Sequence, residues 1–204
     1  MFGQVTLRAG DDGPAVVRET ASARWWARPL ARRLLAREGR ALAVLYGLRG
    51  VPQLLDIERD SLRRSYIEGQ PMHRARPAEP AYFRRAARLL RRLHTAGVVH
   101  NDLAKEPNWL VTPAQEPALV DFQLAWFAPR RGRLFRALAR EDLRHLLKHK
   151  RTYCPEHLTR RERRILERPG LPSRLWMTTA KPLYLLVTRR LLGWTDREGA
   201  GDRS

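Results

Sequence analysis

Val5 and Leu7 alternate with polar neighbours near the start of the chain, and Ala15-Val16-Val17 forms a second apolar run. Alternation with period two predicts strands, and Asp11-Asp12-Gly13 between them is a turn signal, so residues 1–20 are expected to form a β-hairpin. The period then changes. Leu30, Leu34, Leu35, Leu42 and Leu45 recur at helical spacing from Arg28 to Leu48, and Gly47 with Gly50-Val51-Pro52 stops that helix. Residues 53–58 and 62–67 predict two further strands on either side of Glu58-Arg59-Asp60-Ser61. Residues 72–80 are polar and carry Pro77 and Pro80, the composition of a linker.

Tyr82 to Ala96 predicts a strongly amphipathic helix, with Phe83, Ala86, Ala87, Leu90 and Leu93 on one face and arginines on the other, ended by Gly97. Val98-Val99, Trp109-Leu110-Val111 and Ala118-Leu119-Val120 are short apolar pieces around a polar loop. Beyond Leu134 the pattern is helical, over Leu134–His149, Arg160–Arg168 and Pro182–Leu192. Strands mostly precede the linker and helices mostly follow it. The expectation is an α+β chain of two lobes, residues 1–71 and 72–204.

Composition narrows this only a little. With 204 residues, 43% of them hydrophobic, the chain can bury a core in one domain or in two small lobes. A single cysteine, Cys154, rules out an internal disulfide and predicts an intracellular setting. Asp11 and Asp12 precede any apolar run, unlike a signal peptide, and the apolar stretch Pro182–Thr188 is too short to span a bilayer and runs into Arg189-Arg190. A soluble or peripheral protein of the cytoplasm is therefore expected.

The net charge of +19 changes the picture more. Lysine occurs only at 105, 148, 150 and 181, so arginine dominates the 40 basic residues. Codon bias in a GC-rich (bacterial) genome accounts for part of that excess. A surface so positive attracts polyanions: nucleic acid, anionic lipid or phosphorylated glycolipid, with nucleic acid the less favoured. Trp176, Met177, Leu183, Tyr184, Leu185, Leu186, Val187, Leu191, Leu192 and Trp194 lie among arginines. That segment suits either a helix resting on an anionic membrane at its cytoplasmic face or a core helix closing the second lobe.

Chemistry concentrates in His100-Asn-Asp-Leu-Ala-Lys-Glu-Pro-Asn108 and Leu119-Val-Asp-Phe-Gln123. Moving a γ-phosphoryl group needs a carboxylate near the attacking hydroxyl and oxygen ligands that hold Mg²⁺ against the triphosphate. One Asp, one Asn and a second Asp, set between short strands, meet those needs on a rigid base. Taken singly, either acid could equally be a cap at the end of an element.

The ordered set resembles the protein-kinase-like superfamily, whose catalytic loop runs His-x-Asp-Leu then Asn and whose metal loop is Asp-Phe-Gly. The resemblance covers residues 1–150, is strongest over 89–123, and lies nearest the bacterial lipopolysaccharide (Kdo/heptose) kinases and the RIO-type serine/threonine kinases. It implies a two-lobed kinase-like fold with a reduced N-terminal β lobe and a helical C-terminal lobe. It also implies ATP and Mg²⁺ as cofactors, Asp102 orienting or deprotonating the acceptor, Asn108 and Asp121 binding Mg²⁺, and His100 supporting the loop. Lys105 would neutralise the γ-phosphate, or is a solvated lysine. Upstream, Arg18 would meet the α/β-phosphates with Glu38 holding it, and Glu68 in Tyr66-Ile-Glu-Gly69 would lie at the adenine edge. Asp142 sits where the family buries an acid that anchors the catalytic loop, or it is a first-turn helix charge.

Three departures from the family pattern stand out. No Gly-x-Gly-x-x-Gly loop precedes Arg18, and arginine stands where the family has lysine, a donor of different geometry. Asn108 follows Asp102 by one residue more than usual, so Lys105-Glu106-Pro107 must bulge, with Glu106 a substitute ligand. Gln123 replaces the glycine of Asp-Phe-Gly, which predicts a metal loop held in one state. Cys154 in Tyr153-Cys-Pro155 is read as lacking a nearby acid–base partner and as structural.

The expected activity is transfer of the ATP γ-phosphate to an alcohol, on a lipopolysaccharide core sugar or a protein Ser/Thr. The alternative is a pseudokinase acting as a basic binding module for nucleic acid or membrane. An antibiotic phosphotransferase, which takes cationic acceptors and needs an acidic cleft, is disfavoured by the charge.

Overall fold

A computed structural model describes residues 4–9 and 13–167. The hairpin is formed by β1 (Gln4–Arg8) and β2 (Ala15–Glu19), paired antiparallel with Val5 opposite Arg18. β3 (Leu54–Ile57) and β4 (Ser61–Ser65) complete a four-stranded antiparallel sheet in the order β1-β2-β4-β3. Between β2 and β3 runs α1 (Arg28–Val44), begun by Pro29 in its first turn, a position that loses no helical hydrogen bond. It buries Ala31, Leu35, Glu38, Gly39, Ala41 and Leu42. Gly39 is dictated by packing: a Cβ there would lie 2.2 Å from Cδ1 of Ile57, so glycine lets α1 approach β3.

Residues 66–69 connect β4 to β5 (Gln70–Pro71), and the short helix α2 (Met72–Ala75) follows. β5 leaves the first sheet and pairs with β7 (Trp109–Val111), which pairs with β8 (Pro117–Leu119). The expected linker is thus partly helical, and Val120 lies just outside its strand. α3 (Pro80–Thr95) buries Tyr82, Phe83, Ala86, Leu89, Leu90 and Leu93, the face its periodicity predicts. Gly97 ends it at φ +82°, where a Cβ would stand 2.8 Å from the Ala128 carbonyl oxygen. β6 (Val98–Val99) then pairs with β9 (Trp126–Phe127).

α4 (Arg133–Tyr153) packs on α3, and α5 (Arg160–Glu167) packs on α4. One apolar cluster runs through the molecule, joining Leu35, Leu42 and Leu62 to Leu90, Leu93, Trp109, Leu119, Phe122 and Leu146. The sheet, α1 and the following helices therefore share a core. Truncating any of these leucines to alanine removes about 2–5 kcal/mol. No described helix is long and apolar enough to cross a membrane. The segments Pro182–Leu192 and 174–194 lie outside the described residues.

Candidate active site

Gly97 turns the chain from α3 into β6, whose end delivers His100 into the interior. His100 is fully buried, its ring tilted on Phe122 with centroids 4.6 Å apart. Its Nε2 lies 3.0 Å from the Val120 carbonyl oxygen, so that nitrogen is assigned the proton. Burial pushes the imidazole pKa down, and the ring is neutral. Asp142, 1% exposed and midway along α4, accepts hydrogen bonds from the backbone N–H groups of His100 (2.8 Å) and Asn101 (3.0 Å). His94 Nε2 stands 3.1 Å from the same carboxylate. Asp142 is therefore a buried anchor of the loop, and the first-turn reading is corrected. The anchored Asn101 adopts φ +64° and donates from its amide to the Leu124 carbonyl (3.1 Å).

Asp102 follows at once. Residues Glu106–Asn108 form a 3-10 turn that takes up the extra residue and returns Asn108 to Asp102. The Asn108 amide Nδ2 donates to the Asp102 carbonyl (2.9 Å) and to Asp102 Oδ2 (3.0 Å), while Lys105 Nζ pairs with the same Oδ2 at 3.0 Å. Both side-chain donors thus fall on Asp102 Oδ2, and among the described residues no hydrogen bond reaches its Oδ1. Glu106 points elsewhere. It accepts from the Tyr153 hydroxyl at 2.5 Å and faces His149 Nδ1 at 3.8 Å, which corrects its reading as a substitute ligand.

Val120 N–H donates to the Asn108 carbonyl (3.1 Å), tying the loop to the segment that ends in Asp121. Asp121 takes φ +63°, a left-handed conformation that Asp tolerates better than most side chains. Gln123 Nε2 donates to Asp121 Oδ1 at 2.7 Å, and Arg18 Nη2 lies 3.6 Å from that oxygen. Arg18 Nε is also 3.4 Å from Glu38 Oε2, so β2 and α1 bring a cation and its carboxylate to the end of β8.

The sequence did not reveal Arg64, whose Nε stands 3.2 Å from Glu38 Oε1. Glu38 is wholly buried between the two guanidinium groups. Burial pushes its pKa up, against the pull of Arg18 and then Arg64, and burial likewise lowers that of Arg64. Arg37 was also missed: from α1 it donates to the carbonyls of Ala125 and Leu124 (both 3.2 Å), clamping the helix to the turn after Asp121. One arginine among so many carries no sequence signal of its own.

The structure thus brings Arg18, Glu38, His100, Asp102, Lys105, Asn108 and Asp121 to one place. Glu68 stands apart from this cluster, exposed on the connector between the two sheets. Cys154 is buried, but His157 Nδ1 lies 3.5 Å from its sulfur, a partner the sequence reading lacked. Burial raises the thiol pKa, the opposite of what a nucleophile needs. A groove of about 1140 Å³ lined by Tyr46, Arg49, Leu55, Arg88 and Arg92 contains none of the clustered residues.

Among the described residues no three His, Cys, Asp or Glu side chains group as metal ligands. A cation here would have one carboxylate, Asp121, and one amide oxygen, Asn108. That hard, sparse oxygen set fits Mg²⁺, which completes its shell with phosphate and water.

No family model matches the sequence, and no curated protein matches it. Among solved structures, the chain is similar to the Rio2 kinase from Chaetomium thermophilum, at 17% identity and a TM-score of 0.60. The match covers 78% of this chain and 56% of that one, so the chain spans little more than half its length. At this identity the likeness is one of fold, and the chain has a protein-kinase-like α+β fold. The resemblance to lipopolysaccharide kinases rests on sequence motifs alone.

Proposed function

We propose that the chain is an ATP-dependent phosphotransferase that moves the γ-phosphate to an alcohol. The observation that carries this reading is the convergence of Asp102, Asn108, Asp121 and the Arg18–Glu38 pair, from four separate stretches of chain, on one place. In this reading Asp102 orients the acceptor hydroxyl and takes its proton. Lys105, already beside Asp102, stabilises negative charge on the transferring phosphoryl group. Asn108 and Asp121 hold Mg²⁺, which when bound neutralises phosphate charge. Arg18, positioned by Glu38, contacts the α/β-phosphates, and His100 supports the loop as a neutral ring. Backbone groups around Glu68 meet the adenine edge, and the lobes divide between residues 71 and 72.

The acceptor class follows from charge. A surface of +19 favours an anionic acceptor such as a phosphorylated lipopolysaccharide core sugar, presented at the cytoplasmic membrane face, over a protein Ser/Thr. A second reading, a pseudokinase that serves as a basic binding module, is favoured by one observation: Gln123 and Arg18 both engage Asp121 Oδ1. The two separate in one experiment. Purified protein is incubated with γ-labelled ATP, Mg²⁺ and either lipid A–core glycolipid or total cell protein. Label in the glycolipid is expected. Binding of Mg-ATP with no label in either acceptor overturns the enzyme in favour of the binding module.

A further inference from the structure

Gln123 stands where the kinase-like metal loop has glycine, and its side chain does something a glycine cannot. Its Nε2 donates to Asp121 Oδ1 at 2.7 Å. Arg18 Nη2 lies 3.6 Å from the same oxygen, so both donors fall on Oδ1, and Oδ2 takes no hydrogen bond from the described residues. Gln123 is itself fixed, because Phe122 is wholly buried and Ala125 N–H closes the turn onto the Phe122 carbonyl at 3.0 Å. Arg37 holds the far side of that turn through Leu124 and Ala125. The amide is therefore presented by a clamped turn rather than by a loose loop.

We infer that Gln123 biases the site towards Mg²⁺ over Ca²⁺, by weakening Asp121 Oδ1 as a metal ligand. The inference rests on the phosphotransfer reading above, because it concerns the cation that accompanies the nucleotide. Once phosphate engages Arg18, Gln123 is the remaining donor on Oδ1. A carboxylate whose Oδ1 already accepts a short hydrogen bond favours binding a cation through Oδ2 alone. Mg²⁺ is content with that, since it takes six ligands at short distance and keeps several waters. Ca²⁺ is larger, takes six to eight oxygens, and gains from a carboxylate that wraps it with both. Gln123 thus disfavours Ca²⁺ by competing for the second oxygen it would use. A glycine, having no side chain, leaves that oxygen open.

The test uses the full chain and a fluorescent mant-ADP titrated in Mg²⁺, in Ca²⁺ and in EDTA. Gln123→Ala removes the side chain, and Gln123→Met keeps its length without the donor, so agreement between them separates the hydrogen bond from packing. Affinity in EDTA and the melting curve report whether each variant is folded. Wild type should bind mant-ADP more tightly in Mg²⁺ than in Ca²⁺. Both variants should shift the Ca²⁺-to-Mg²⁺ affinity ratio towards Ca²⁺ by about tenfold, the scale set by one hydrogen bond to a charged oxygen. An unchanged ratio in both folded variants overturns the role of Gln123 while leaving the nucleotide site intact. If mant-ADP binding is indifferent to both cations in every protein, the phosphotransfer reading fails and this inference falls with it.

Discussion

Replacing Glu38 by glutamine tests the charge cluster beneath the candidate site. Glu38 is 0% exposed, and its two oxygens face Arg64 Nε at 3.2 Å and Arg18 Nε at 3.4 Å. The neutral amide leaves two guanidinium groups, 13% and 10% exposed in their side chains, facing one another with no carboxylate between them. Removing one partner from a buried ionic group typically destabilises by about 3–5 kcal/mol, because the charge left behind stays desolvated. For a chain of this length each kcal/mol lowers Tm by about 2–4 °C, so Glu38→Gln should fall by roughly 6–20 °C. Urea and thermal melts read this directly.

The sharper expectation concerns the double variant. Glu38→Gln with Arg64→Met removes the cation left without its carboxylate, Arg18 still having Asp121, so it should be more stable than Glu38→Gln alone. Two arginines around one carboxylate make the deletions strongly non-additive. A loss below about 1 kcal/mol for Glu38→Gln, or a double variant weaker by the sum of the singles, would refute the cluster as a structural hub.

Asp142→Ala strips the acceptor from two backbone N–H groups, and urea melts should show a loss of about 2–5 kcal/mol; under 1 kcal/mol would remove Asp142 as the loop's anchor. Gly97→Ala places a Cβ 2.8 Å from the Ala128 carbonyl at φ +82°, and thermal melts should report a loss of about 1–3 kcal/mol, against nothing if the turn can relax. Burial lowers the pKa of His100, of His149 and of His145, the last to about 4. Their stabilisation is present above the unfolded value and lost as pH falls through the folded ones. Glu38, raised by burial, works the other way, but the three histidines outnumber it, so stability should fall as the pH is lowered from 7 to 5. Equal urea midpoints at pH 7 and pH 5 would contradict it.

Much of this arrangement was legible in the sequence, for a physical reason. The periods of α1, α3 and α4 reflect one buried face each, and Gly47 and Gly97 mark their ends through positive φ. Asp102, Asn108 and Asp121 were legible because they sit at the ends of short apolar strands in a fixed order. Asn108 needed the 3-10 turn, which depends on how Glu106 is drawn to Tyr153 and so on α4 far along the chain. Arg64 and Arg37 were not legible, since a strand or helix arginine looks the same whether it meets water or a buried carboxylate. Asp142 was ambiguous because burial is decided by α3 and β6 packing around it, which local sequence does not encode. His157 beside Cys154 was overlooked because the 3-10 turn Pro155–His157 folds it back.

The central claim is that Asp102 serves phosphoryl transfer, and Asp102→Asn tests it most directly. The side chain is 13% exposed and its neighbours can bond an amide of the same size, so the fold and the mant-ADP affinity should be retained. Transfer of labelled γ-phosphate from ATP to acceptor should fall by roughly 10²–10⁴-fold, the scale of losing a positioned general base. Transfer by Asp102→Asn at the wild-type rate would contradict the account.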